Sequence, residues 1–352
     1  VKKALLIVVL MLMAISLLNA ETKFKAEMWN RWTYRLIDGD VTKNEFALQR
    51  GYFRLEPTFT DKIKGRFNVD FYSSDKTTDT EGAGLKIKYA YLDFKELVPL
   101  KNSTFTVGLM KTFFGTIYDW DYTTIEKDPS DMYKFVTSVD YGFGLHGYLP
   151  QALGTYALAV YNGEGYKKAG SNINTDMNFV GNLRVTPITG VTLGGSYMKK
   201  TVKNAQIDDG SGNMIDNPDR EEYSQIAAVG KFAFGPVKVL AQYLQKVKSM
   251  PNDNSASDKT TNVISVMPVF KVNNKFDIVT RYDIYDPNTD KDDDKEDTLI
   301  LGFNYNILRD AKNSPLLFVQ TNYQRTSYED DTKDAVDTFM IQLRWIFSGT
   351  IK

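Results

Sequence analysis

Basic side chains recur along this chain at every second or fourth residue, the spacing that places them on one face of an extended strand. Arg31 and Arg35, Arg50 and Arg54, and Lys86 and Lys88 show it within single segments, and Arg66, Arg184, Lys238, Arg281 and Arg344 hold the same face of theirs. A guanidinium presents a planar fork of donors that matches phosphate or carboxylate oxygens. Lined along a water-filled passage, such groups lower the electrostatic barrier to anions. Glu27, Glu56, Asp70, Asp140, Asp277 and Asp283 share the face. Two readings therefore stand side by side: an anion path, or ion pairs between neighbouring strands that fill a wall.

A second group of candidates lies between Phe114 and Val136, where Trp120, Asp121, Glu126, Asp128 and Asp131 are interleaved with Tyr118, Tyr122, Tyr133 and Phe135. Asp128-Pro129-Ser130-Asp131 reads as an N-cap, a proline at the first helical position and an acid in the first turn, so a short helix is expected there. A long loop of such ordered composition is functional more often than slack. The expectation is that it folds into the lumen and narrows it, against the alternative of an exterior loop.

Other chemistry is poorly supported. His146 is the single histidine, and no G-x-S-x-G elbow accompanies it, so it reads as a wall residue. Asp290 to Asp297 is rich in acids but lacks the glycine and terminal glutamate of an EF-hand loop, and reads as a solvated exterior turn. Cysteine is absent, which excludes thiolate metal sites and cysteine nucleophiles. A formal net charge of -1 gives no global field for nucleic acid. No enzyme activity and no cofactor are expected.

The elements that must position these residues are strands. In Val336 to Phe347, Phe339, Ile341, Leu343, Trp345 and Phe347 take one parity and Thr338, Met340, Gln342, Arg344 and Ile346 the other. The same alternation recurs near 23–37, 45–59, 65–73, 84–96, 103–113, 137–149, 154–162 and 175–188. It continues near 190–203, 222–234, 237–249, 259–272, 275–286, 296–308 and 315–328. That makes about sixteen segments, each long enough to cross a bilayer when tilted. With 42% hydrophobic residues, 21 Tyr and 21 Phe, the apolar faces are well supplied, but no surplus remains for a second layer to cover them. A closed antiparallel barrel, apolar outside and polar inside, satisfies both faces and every backbone group. Short turns alternate with longer polar loops, as outer-membrane barrels show. A charge on the lipid face costs about 2–4 kcal/mol near the midplane, which favours inward placement of the arginines.

Residues 1–20 read as an export signal: Lys2 and Lys3, then apolar Ala4 to Leu18, then Asn19-Ala20 before Glu21. Residues 21–352 read as one barrel domain.

Several stretches resemble the phosphate-selective porin family (the O and P type) of Gram-negative outer membranes. They are Leu48-Gln49-Arg50-Gly51-Tyr52-Phe53-Arg54, Lys88-Tyr89-Ala90-Tyr91-Leu92 and Val107-Gly108-Leu109-Met110-Lys111-Thr112-Phe113-Phe114-Gly115. Gly142-Phe143-Gly144-Leu145-His146-Gly147 and Tyr156 to Gly163 extend the similarity. The third stretch is similar to the family's G-x-F-K-x-P-F-G, with Lys111 matching its lysine and Phe113 in place of its proline. Ser348 to Lys352 extend past Phe347, where family chains usually end on the aromatic of the last strand. The resemblance implies a sixteen-stranded, usually trimeric barrel with an inward third loop and an arginine-lined channel, and it adds Lys111 to the pore candidates. The expected function is a passive channel for small hydrophilic solutes with an anion, phosphate-like preference. A general or cation-leaning porin, and a structural or adhesive barrel, are the alternatives. The partners expected are the outer-membrane bilayer and the permeating solutes, with no nucleic acid.

Overall fold

The computed structural model describes residues 21–74, 82–166, 176–203, 206–208, 211, 213–217, 219–253, 255–311 and 314–351. The export signal read over 1–20 lies outside them. Strands β1 (Glu21–Ile37), β2 (Asp40–Thr58), β3 (Ile63–Ser73), β4 (Ala83–Lys95) and β5 (Ser103–Lys111) open the chain. A one-turn helix α1 (Pro129–Met132) interrupts the sheet before β6 (Val139–Tyr148), β7 (Gly154–Tyr161), β8 (Asn178–Ile188) and β9 (Val191–Val202). After β10 (Gln206–Asp208) and β11 (Met214–Asp216) come β12 (Glu221–Phe234), β13 (Val237–Ser249), β14 (Lys259–Lys271) and β15 (Phe276–Asp286). The last three are β16 (Glu296–Arg309), β17 (Pro315–Tyr328) and β18 (Val336–Ile351).

All except β10 and β11 join one closed antiparallel barrel in which each strand pairs with its neighbours in sequence, β9 meets β12, and β18 closes on β1. The wall thus has the sixteen strands expected from alternation. β10 and β11 pair only with each other, within the loop after β9. Closure leaves no sheet edge, so the backbone needs no water within the apolar band. The chain beyond Phe347 is not a tail. Ser348 to Ile351 continue β18 and pair with Lys25 to Thr22 of β1.

Parity sorts the side chains as expected. On β18, Phe339, Ile341, Leu343 and Phe347 lie on the outer surface, whereas Thr338, Met340, Gln342 and Arg344 are buried inside. Glu21 and Ile351 lie at the end that carries the short turns, and the longer connections leave the strands at the other end. The β1–β2 connection is an exception at the loop end, a tight turn with Asp38 at φ 49° and Gly39 at φ 80°. Positive φ at both central residues matches the twist of the paired strands, and Gly39 accepts it without steric cost.

Two bulges retune the wall near the candidate pore. Trp29 faces Arg50 while Asn30 faces Leu48, so Gln49 is the extra residue. Asn68 faces Tyr89 while Val69 faces Ile87, so Lys88 is extra. An extra residue resets alternation. Lys86 and Lys88 can therefore turn inward together with Tyr89 and Tyr91. Gly108 faces Tyr91 and would place a Cβ 2.3 Å from the Ala90 carbonyl oxygen, so only glycine allows that strand contact.

The interior departs from the polar lumen that the sequence suggested. Met110, Ala157, Ala159, Val180, Met198, Ala227, Leu244 and Val263 point inward and pack with Phe113, Phe114, Ile117, Tyr133, Phe135 and Val136 of the loop after β5. An apolar core therefore occupies part of the lumen between β7–β9 and β12–β14.

Candidate pore and constriction

The loop from Thr112 to Ser138 folds into the barrel, as expected, and is fixed at successive points around the wall. At its start, the Gly115 N–H donates to Ser196 Oγ at 3.0 Å, and the Thr116 N–H donates to Gln242 Oε1 at 3.0 Å. Asp119 takes two cations, Arg184 at 2.6 Å and Lys231 at 2.5 Å, and the Arg184 guanidinium lies 4.5 Å from the Tyr118 ring. The chain then crosses to the opposite wall. Gln320 Nε2 donates to the Tyr122 carbonyl at 2.9 Å, Asn304 Nδ2 donates to that of Thr123 at 3.0 Å, and the Tyr122 ring meets Trp29 at 4.7 Å.

The return leg carries α1. Asp128 is its N-cap, accepting from the Ser130 N–H at 2.8 Å, and it also accepts from the hydroxyls of Ser130 and Thr116. Burial pushes the Asp128 carboxyl above its ordinary value, and those hydrogen bonds oppose the shift. Arg281 donates to the Lys127 carbonyl at 2.6 Å, and Tyr133 donates to Asp283 at 3.1 Å and stacks on Tyr285.

These contacts divide the expected pore residues into two sets. Arg281 is fully buried against Asp283, and Arg344 is buried between Glu27, at 2.7 Å, and the rings of Trp29 and Phe318. Arg184 is sealed beneath the loop start. Arg50 is stacked among Trp29, Tyr52 and Tyr122 and lies 3.8 Å from Asp70. These four arginines have the expected inward parity and are engaged in holding loop and wall together, contacts that alternation alone does not announce. The physical reason is that strand parity fixes which face a side chain takes, not what later covers it. Arg31 is half-buried and donates to Gln342 at 3.1 Å. Arg35 is exposed at the loop-end mouth, away from the narrowing. Lys238 lines a separate cavity of ≈ 330 Å³ on the far side of the loop, with Lys231 and Trp120.

The others meet around the remaining opening, a cavity of ≈ 330 Å³ between β1–β5, β18 and the loop, where Arg344 and Glu27 also reach its lining. Arg54, Arg66, Lys88 and Lys111 stand on the barrel side, and Asp121 and Asp131 on the loop side. Glu56 lies 3.6 Å from Arg54 and 4.0 Å from Arg66, whose guanidinium sits 4.1 Å from the Tyr89 ring. Lys88 donates to Ser138 Oγ at 2.5 Å, and Lys86 lies 3.4 Å from Asp70 just above. Trp120 borders the opening and donates to the Glu126 carbonyl at 3.3 Å. Glu126 itself is half-buried. Asp128 reaches the cavity's edge but is a structural cap, its oxygens engaged by Ser130 and Thr116.

Sequence reasoning missed Asp119, Lys231 and Gln242. Lys231 has the inward parity of Gln225 and Val229 on β12 and was legible on that ground. The glutamine anchors carry no charge, and alternation alone cannot single them out.

A family model described as phosphate-selective porin O and P matches residues 24–225. No curated protein sequence matches the chain significantly. The barrel resembles the trimer form of OmpT, an outer membrane protein of Vibrio cholerae, with 13% identity and a TM-score of 0.65 over 94% of this chain and 100% of that one. An anion-selective porin from Comamonas acidovorans gives 11% identity and a TM-score of 0.64 over 94% and 100%. The outer membrane channel DcaP of Acinetobacter baumannii gives 13% and 0.62 over 93% and 97%. At these identities the likeness shows the fold, a porin barrel. The family match covers more than half of the 352 residues, and the chain therefore belongs to the phosphate-selective porin O and P family of outer-membrane channels.

Proposed function

We propose that this porin passes small hydrophilic solutes passively and prefers anions, phosphate-like ones among them. The observation that carries the reading is the sorting of charge at the opening. Arg54, Arg66, Lys88 and Lys111 stand together on the barrel side. The acids of that wall are engaged: Asp70 lies between Arg50 and Lys86, Glu27 is held by Arg344, and Glu56 pairs with Arg54 and Arg66, leaving four cations against one acid on that side. Asp121 and Asp131 face the basic wall from the loop, so a solute crosses a transverse field and anions take the barrel side. Lys111, the lysine the family resemblance pointed to, lies where this opening meets the next cavity.

The anion-selective porin from Comamonas acidovorans supports the reading as a neighbour of the same fold. By analogy with the trimer form of Vibrio cholerae OmpT, the assembly is proposed to be a homotrimer, reached by export on a signal at residues 1–20 that is then removed. Reversal potential across a planar bilayer in a salt gradient tests the preference. An anion-side potential is expected, and a cation-side potential would refute it.

A further inference from the structure

Below the opening, toward the short-turn end, lies a second cavity of ≈ 410 Å³, within the range of about 300–1,000 Å³ of small-molecule sites. It shares Lys111, Tyr118 and Asp119 with the opening, so a solute leaving the basic wall enters it directly. Its character is different. The rings of Tyr91, Phe113, Tyr118 and Tyr156 provide apolar faces beside a fixed polar set.

That set is pre-organised. The Thr106 hydroxyl donates to Asp93 Oδ1 at 2.6 Å, and its oxygen lies 3.0 Å from His146 Nε2. Having given its proton to the carboxylate, the hydroxyl accepts from the imidazole, which assigns the hydrogen to Nε2 and leaves Nδ1 an acceptor in the neutral ring. Phe113 packs on the His146 ring at 4.9 Å and meets Tyr118 edge-on at 5.5 Å. Among the described residues, no further hydrogen bond reaches the Asp93 carboxylate.

We infer that this cavity is a subsite for the polyhydroxylated ring of an organic anion, a sugar phosphate in chemical class, whose charged group stays at Lys111. The inference rests on the anion preference proposed above. Hydroxyl groups are donors that satisfy Asp93 and the imidazole acceptor together, and the C–H faces of a sugar ring pack on tyrosines. Inorganic phosphate reaches Lys111 but leaves the second cavity unused. A flat aromatic carboxylate covers the rings but strips water from Asp93 without replacing it, which is unfavourable. The Asp93 charge also repels a second anionic group, so it sets the orientation: charge toward Lys111, ring toward Asp93.

The test is concentration-dependent current block of single channels by glucose 6-phosphate, glucose, inorganic phosphate and benzoate. Single-channel recording reads only barrels that have folded and inserted. Glucose 6-phosphate is expected to block at concentrations at least about tenfold lower than any of the others, a difference of about 1.4 kcal/mol. Thr106→Val and Asp93→Asn should each remove most of that advantage. Equal block by inorganic phosphate or benzoate, or an advantage untouched by both variants, would overturn the subsite while leaving an anion-side reversal potential standing. A cation-side reversal potential would instead overturn the anion preference itself.

Discussion

Arg281 and Asp283, two residues apart on β15, form an ion pair at 2.5 Å with neither side chain exposed. The pair is also where the return leg of the loop is fastened, through the Lys127 carbonyl and the Tyr133 hydroxyl. Removing one partner of a buried pair strands the other charge and costs about 3–5 kcal/mol, whereas replacing both is far milder. Arg281→Leu should therefore lower resistance to unfolding and expose the loop to protease. Arg281→Leu/Asp283→Leu should recover much of the loss. Equal sensitivity of the single and double variants in denaturant would show that the cost does not come from a stranded buried charge.

A substitution of the same kind on opposite parities tests the wall. Leu343 faces outward on β18, while Leu240 on β13 lines the lumenal cavity that holds Lys231 and Lys238. Leu343→Arg should cost about 2–4 kcal/mol in lipid if it lies near the midplane, and Leu240→Arg markedly less. Folding titrations into vesicles would measure both. Gln342→Arg is a poor comparator, because Gln342 is fully buried and bonded to Arg31 and Gln320.

Asp128 gives the loop a pH dependence. Its carboxyl is raised by burial, so the folded chain holds the proton more tightly than the unfolded one. Between the ordinary value of 3.8 and the raised folded value, its contribution to stability falls as pH rises. Acidification through that window should firm the seat of α1. Asp128→Asn should abolish this component, while Asp128→Ala should cost about 1 kcal/mol through loss of the cap. A loop whose protease resistance in Asp128→Asn keeps the native pH profile would count against it.

Much of this was legible in alternation. The sixteen wall strands, the parity of β18 and the cap at Asp128 follow from period-2 spacing and helix-start chemistry. The apolar core inside the lumen was not. Ala157, Ala159, Val180 and Met198 are apolar at inward positions, a hint that something covers them, but alternation cannot say what. The same gap hid the contacts of Arg184, Arg281 and Arg344: each is inward, and the loop from β5 reaches across the barrel to meet it. Their partners, the Gly115, Lys127 and Tyr122 carbonyls, are backbone groups that no residue type announces.

Charge selectivity at the opening is the central claim, and reversal potential is its most direct measure. The native channel should give an anion-side potential at low salt, and Arg54→Gln/Arg66→Gln should move it toward cations. The shift should shrink as the screening length falls from about 10 Å at 0.1 M salt to about 3 Å at 1 M. A cation-side potential in the native channel, or a double variant identical to it at low salt, would contradict the account.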